Sequence, residues 1–246
     1  MKADPAVQLR LLDLQATDTA LARLEHRRRT LPELAVVVDR QAGMDRLETE
    51  VVRAETEIGD VDREQRRLEA DVDQVRRRAA RDEQRMQSGG LPAREQASLQ
   101  HEVQTLARRQ SDLEDSVLEL MERQEEAAAR LESLRASFGR LAAERDAAAE
   151  ARDAAFAEIG AELAARSGER VRIAAELPAD LLALYETVRS AAGGVGAAPL
   201  RQRRCEGCRI ELAGSELRAA RAAAPEEVLR CDNCRRILVR TPESGL

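Results

Sequence analysis

Apolar residues recur at alternating steps of four and three along much of the chain, most strictly on either side of Ser88-Gly89-Gly90-Leu91-Pro92. Before that stretch the series runs Leu47, Val51, Ala54, Ile58, Val61, Gln65, Leu68, Val72, Val75, Ala79, Asp82 and Met86. After it come Leu99, Val103, Leu106, Gln110, Leu113, Val117, Leu120, Gln124, Ala127, Leu131, Leu134, Phe138 and Leu141. A 3.5-residue period puts one narrow apolar seam on each helix, and such a seam is buried only against another like it. Two matched seams flanking a Gly-Gly turn predict a long antiparallel coiled-coil helical hairpin with its turn at 88–92. With Gly89-Gly90 as its centre, facing residues have numbers adding to about 179, which sets Gln65 near Gln110 as a candidate register-fixing pair.

The pattern also marks where the helices begin and end. Asp4-Pro5 supplies an N-cap acid followed by Pro at the first helical position. The early seam is Val7, Leu11, Leu14, Leu21, Leu24 and Leu31, with Asp18 standing where an apolar residue is expected. Pro32 removes a backbone donor and crowds the preceding turn, so a break is expected at Leu31-Pro32. Beyond Leu141 the ladder of Leu gives way to Ala, and Pro178 opens a short amphipathic helix with Leu181, Leu184, Tyr185 and Val188 on one face. Gly193-Gly194-Val195-Gly196 then loosens the chain. Three parts follow: a coiled-coil hairpin over residues 1–175, a bridging helix and Gly-rich linker over 176–196, and a small β domain over 197–246. The fold class is mostly α.

Composition narrows this further. A chain of 246 residues with no Trp, one Tyr (Tyr185) and two Phe (Phe138 and Phe156) lacks the bulk for a wide core, which suits a thin seam. Charged residues make up 35% and the net charge is −6, so the chain as a whole is not built as a nucleic-acid binder. The last fifty residues differ, with ten Arg against seven acids. No stretch has the length and apolarity of a signal peptide or membrane span, so a cytoplasmic protein with reduced cysteines and no membrane partner is expected.

All four cysteines fall in that basic segment, as Cys205-Glu206-Gly207-Cys208 and Cys231-Asp232-Asn233-Cys234. Two C-x-x-C turns complete a tetrahedral thiolate site, and strand-like segments flank both, the layout of a zinc ribbon. One structural Zn²⁺ held by Cys205, Cys208, Cys231 and Cys234 is the expected cofactor. A redox C-x-x-C would need a βαβ unit, which the chain lacks, and a catalytic zinc would need an open position for water, which four cysteines fill. His26 and His101 read as solvated helix-surface residues, and the sequence holds no Gly-rich phosphate loop or nucleophile elbow. No enzyme is expected.

The combination resembles a known family. Leu11-Leu12-Asp13-Leu14-Gln15, Leu99-Gln100-His101-Glu102-Val103, Leu177-Pro178 through Tyr185-Glu186, and Cys231 through Leu238 are similar to stretches of the bacterial C4-type zinc-ribbon proteins with an N-terminal coiled-coil hairpin, a family labelled nucleic-acid-binding. The resemblance covers nearly the whole chain. It implies that the four cysteines bind structural zinc and that the protein acts as an adaptor or chaperone, with RNA contact as a further activity of that family. Many ribbons place Gly after the second Cys of each turn, whereas Arg209 and Arg235 stand there in this chain. The expected function is therefore a non-enzymatic adaptor that engages protein partners as a monomer or weak homodimer. RNA or DNA binding through the Arg-rich ribbon is the alternative. The candidate binding residues are Arg209, Arg235 and Arg236 beside an exposed apolar run, Ile237-Leu238-Val239.

Overall fold

The computed structural model describes residues 1–246. Helix α1 spans Pro5–Arg29, α2 Pro32–Gln87, α3 Ala93–Ala175 and α4 Ala179–Ala191. Strands β1 (Ala197–Arg201) and β2 (Arg204–Cys205), helix α5 (Gly214–Ala222), and strands β3 (Leu229–Arg230) and β4 (Ile237–Arg240) follow. The N-cap of α1 forms as its sequence dictates, with Asp4 accepting the amide of Ala6 at 2.8 Å. The chain breaks between α1 and α2 at Thr30-Leu31, directly before Pro32, because the proline ring cannot continue the preceding turn.

The chain divides into two compact units, Ala35–Ala149 and Met1–Leu34 with Glu150–Leu246. The unit that contains the ribbon also takes in the first helix and the end of α3.

In the unit Ala35–Ala149, α2 and α3 run antiparallel, joined by a turn in which Gly89 and Gly90 take φ of +75° and +82°. Every seam position named above is at least half covered, Gln65, Gln110 and Asp82 included. Side-chain contacts between the arms add to between 180, at Arg78–Glu102, and 190, at Arg76–Glu114, at or above the expected sum. Gly43 faces Leu141 and Arg40 pairs with Glu144, both pairs adding to 184. Helical side chains lean toward their own N-terminus, so on α2 they tilt away from the turn and on α3 toward it. Contacts therefore form between residues later in each helix than those level with one another. Gln65 and Gln110 consequently do not pair: each donates to the glutamate one turn on, Glu69 at 2.9 Å and Glu114 at 2.8 Å. Arginine–glutamate pairs bridge the rims, among them Arg76–Glu114, Arg78–Glu102 and Arg135–Glu55.

In the other unit, the four-stranded sheet has the order β2-β1-β4-β3, with β1 and β4 parallel at its centre and both outer pairs antiparallel. Side chains alternate across these central strands. Ala197, Ile237 and Val239 join Leu11, Leu14, Ile173, Leu177, Leu181 and Tyr185 in one core. Ala198, Leu200 and Leu238 face the other way, onto Leu212, Ala220 and two of the cysteines. The sheet thus lies between the helices and the cysteine cluster. Residues at the chain start complete it: Lys2 bridges Glu227, the Ala3 amide donates to the Glu226 carbonyl at 2.7 Å, and Val228 donates to Met1 at 3.1 Å.

Candidate metal centre

Two similar turns carry the cysteines. In the first, the Arg209 amide donates to the Cys205 carbonyl at 2.6 Å; in the second, the Arg235 amide donates to Cys231 at 2.8 Å. Arg209 and Arg235 both have φ of +62°. A left-handed backbone costs an ordinary residue roughly 1–2 kcal/mol that glycine does not lose, so both turns keep arginine at an energetic cost.

The turns bring the four sulfurs within 4.8 Å of one another, with Cys205 to Cys234 at 3.8 Å and Cys208 to Cys231 at 3.9 Å. A tetrahedral site with zinc–sulfur bonds of about 2.3 Å has edges of about 3.8 Å, so the spacing fits zinc. Thiol chemistry points the same way. Burial pushes the Cys205 thiol well above its usual range, against opposing amide hydrogen bonds from Cys208 and Gly207, and burial raises Cys231 as well. At Cys234 burial also pushes upward, but the Arg236 amide and the thiols of Cys231 and Cys208 bring it down to about 7. Such a cluster becomes four thiolates only around a cation, and the resulting Zn(Cys)₄ centre carries about −2 with no position left for water.

Of the candidate binding residues, Arg209 and Arg235 are exposed, and the ribbon's ion pair lies elsewhere, between Arg201 and Glu243. Arg236 is different. Its guanidinium donates to the carbonyls of Val195 (3.1 Å), Gly207 (3.1 Å) and Ala192 (2.7 Å), so it braces the fold and is not free for a partner. The run Ile237-Leu238-Val239 is likewise not exposed: all three are buried, because β4 is a central strand covered on both faces.

A second constellation lies beneath the sheet. Asp18 is 1% exposed and accepts hydrogen bonds from the Tyr185 hydroxyl (2.7 Å) and the Arg170 Nε (2.7 Å), with Arg189 at 3.1 Å and Glu186 pairing with Arg170. Burial, with the neighbouring Asp18 carboxylate, pushes the Tyr185 phenol well up, so it remains a donor. Gln15 joins this group to the linker. Its Oε1 accepts from Gly196 (2.7 Å), from Ala197 (3.4 Å) and from the Tyr185 hydroxyl (3.1 Å), and its Nε2 donates to Gly194 (3.1 Å). The only sequence signal was Asp18 itself, an acid on an apolar stripe.

Residues 14–193 match the model of the CT398-like coiled coil hairpin domain, and residues 204–238 match that of the C4-type zinc ribbon domain. An uncharacterized protein of Mycobacterium tuberculosis is 40% identical over 244 residues, 98% of each chain. A solved structure from Mycobacterium smegmatis superposes with a TM-score of 0.85 at 34% identity, covering 98% of this chain and 100% of that one. The structure of CT398 from Chlamydia trachomatis shares the fold at a TM-score of 0.70 and 19% identity, over 96% of this chain and 98% of that one. With its paired helical seams and four clustered sulfurs, the chain belongs to the CT398-like coiled-coil hairpin family and carries a C4 zinc ribbon.

Proposed function

We propose that the protein is a non-enzymatic, zinc-dependent adaptor of the cytoplasm that engages an acidic protein partner through its ribbon. The observation carrying this reading is the pair Arg209 and Arg235, held in the same left-handed conformation one residue past each cysteine turn, exposed and without a carboxylate partner. Unfavourable backbone geometry concentrates where a side chain must be presented in one direction, and two rigid guanidinium forks suit carboxylates. A site whose metal is fully enclosed by sulfur supports a structural role for zinc and no catalysis. No helix is long and apolar enough to cross a membrane.

Nucleic acid is the second reading, favoured by the exposed arginines Arg203, Arg204, Arg218, Arg221 and Arg230 around the same turns. Against it, residues 197–246 contain no aromatic side chain on which a base could stack, and the rest of the chain is acidic. The test uses the zinc-loaded full chain. Capture from its own cells by wild type should be lost with R209E/R235E, while RNA and DNA oligonucleotides bind weakly and with a steep salt dependence. Tight binding of one defined oligonucleotide at physiological salt would replace the adaptor reading with the nucleic-acid one.

A further inference from the structure

We infer that Arg236 is a positioning residue that carries the state of the zinc site to the helical base: with metal bound, its guanidinium holds the 192–196 linker against Gln15 and Tyr185 and so keeps the Asp18 ion network closed. The linker is gripped from both sides. From the ribbon, Arg236 reaches Ala192, Val195 and Gly207, the last lying inside the first cysteine turn, while Arg236 itself follows Cys234 by two residues. From the base, Gln15 takes the Gly196 amide and donates to Gly194, and the Tyr185 ring lies so close that a Cβ on Gly196 would stand 2.8 Å from it.

The bonds of Gln15 to Gly196 and of Tyr185 to Asp18 are buried and those of Arg236 partly so, so releasing the linker leaves donors or acceptors unpartnered at the buried end. Without zinc the two cysteine turns lose their common centre. Arg236 on one then parts from Gly207 on the other, and its hold on Val195 and Ala192 loosens. The linker amides and Gln15 follow, and Gln15 shares Tyr185 with Asp18. Packing is equally specific at Gly207, where a Cβ would meet Arg236 Cδ at 2.7 Å, so the arginine stem lies directly across that turn.

Tyr185 makes the relay measurable, since it is the chain's one tyrosine and there is no Trp. Its phenol meets Asp18 and Gln15, with Arg189 and Glu186 nearby, and a phenol bound to a carboxylate emits weakly. The experiment compares zinc-loaded and zinc-stripped full chain, kept reduced, with zinc-loaded R236Q, reading Tyr185 emission and the hydrogen exchange of the Gly196 amide. Stripping should raise the emission and speed Gly196 exchange by about tenfold or more, and R236Q should do the same with one zinc still bound. The phenol should then titrate nearer its ordinary value of about 10. Unchanged emission and exchange in stripped wild type would overturn the inference, as would a zinc-loaded R236Q that behaves like wild type. If R236Q loses metal, zinc-loaded G207A, which displaces the same stem, takes its place. If both variants lose metal, Arg236 belongs to the support of the zinc site itself and the inference is overturned.

Discussion

The unit Ala35–Ala149 and the unit that joins Met1–Leu34 to Glu150–Leu246 bury apolar surface by different means. In the first, two helices share a narrow seam, most of whose positions are only half covered, and arginine–glutamate pairs on the rims stay in water. In the second, Leu11, Leu14, Ile159, Leu181, Tyr185, Leu200, Ile237 and Val239 have no exposed surface at all, and they come from segments nearly the whole chain apart. A seam divides its stability among many similar layers, so one substitution removes one layer. A small core shared by helices, sheet and metal concentrates it, so one change reaches several elements.

The largest difference should come from the metal. Binding energy at a structural zinc site, on the order of 10–16 kcal/mol, is spent on folding the segments that supply its ligands. Cys231→Ser should therefore abolish stoichiometric zinc and unfold the sheet and its packing on α1 and α4, while the amides of α2 between Thr49 and Asp82 stay protected from exchange. Equal loss of protection in that stretch of α2 would show that the two units do not differ as described.

Next comes Asp18→Ala, which takes from Arg170 and the Tyr185 hydroxyl their shared acceptor and from Arg189 an ion-pair partner. Breaking a buried ion pair from one side costs about 3–5 kcal/mol, to be read in urea denaturation. A loss under 1 kcal/mol would mean that water replaces the carboxylate. A smaller cost, about 2 kcal/mol, is expected for Leu106→Ala in the seam, because the cavity opens toward solvent on one side and the helices can close over it. A cost matching that of Asp18→Ala would contradict the layered picture. The smallest effect has the opposite sign. Arg209→Gly should raise the stability of the zinc-loaded protein by about 1 kcal/mol by removing the left-handed arginine, seen as a higher melting temperature with zinc unchanged.

The same contrast decides what could be read from residue order. A seam is written in local spacing, so the residues from Leu47 to Leu141 could be named, and so could the break before Pro32 and the four cysteines. The register could be read only roughly, because which side chains meet depends on their lean along antiparallel helices. Ile237-Leu238-Val239 looked like a surface patch because no local period tells a doubly covered central strand from an exposed one; its cover comes from Leu11 and Leu14 on one face and from the cysteine side on the other. Arg236 followed the same logic, its partners at Ala192 and Val195 lying some forty residues earlier. Asp18 did announce itself as a break in an apolar stripe, but Gln15 and Tyr185 carried no comparable mark.

The antiparallel bridge between Lys2 and Glu227 has a consequence for how the molecule is made. On a ribosome adding roughly 5–20 residues per second, Lys2 waits roughly 10–45 s for Glu227 to be translated. The turn at Gly89-Gly90 meets no such delay, and its two arms begin to close while the ribbon is still unmade. Through that interval α1 carries Leu11 and Leu14 uncovered, so a segment made early is completed late, and α1 is where the nascent chain is open to association.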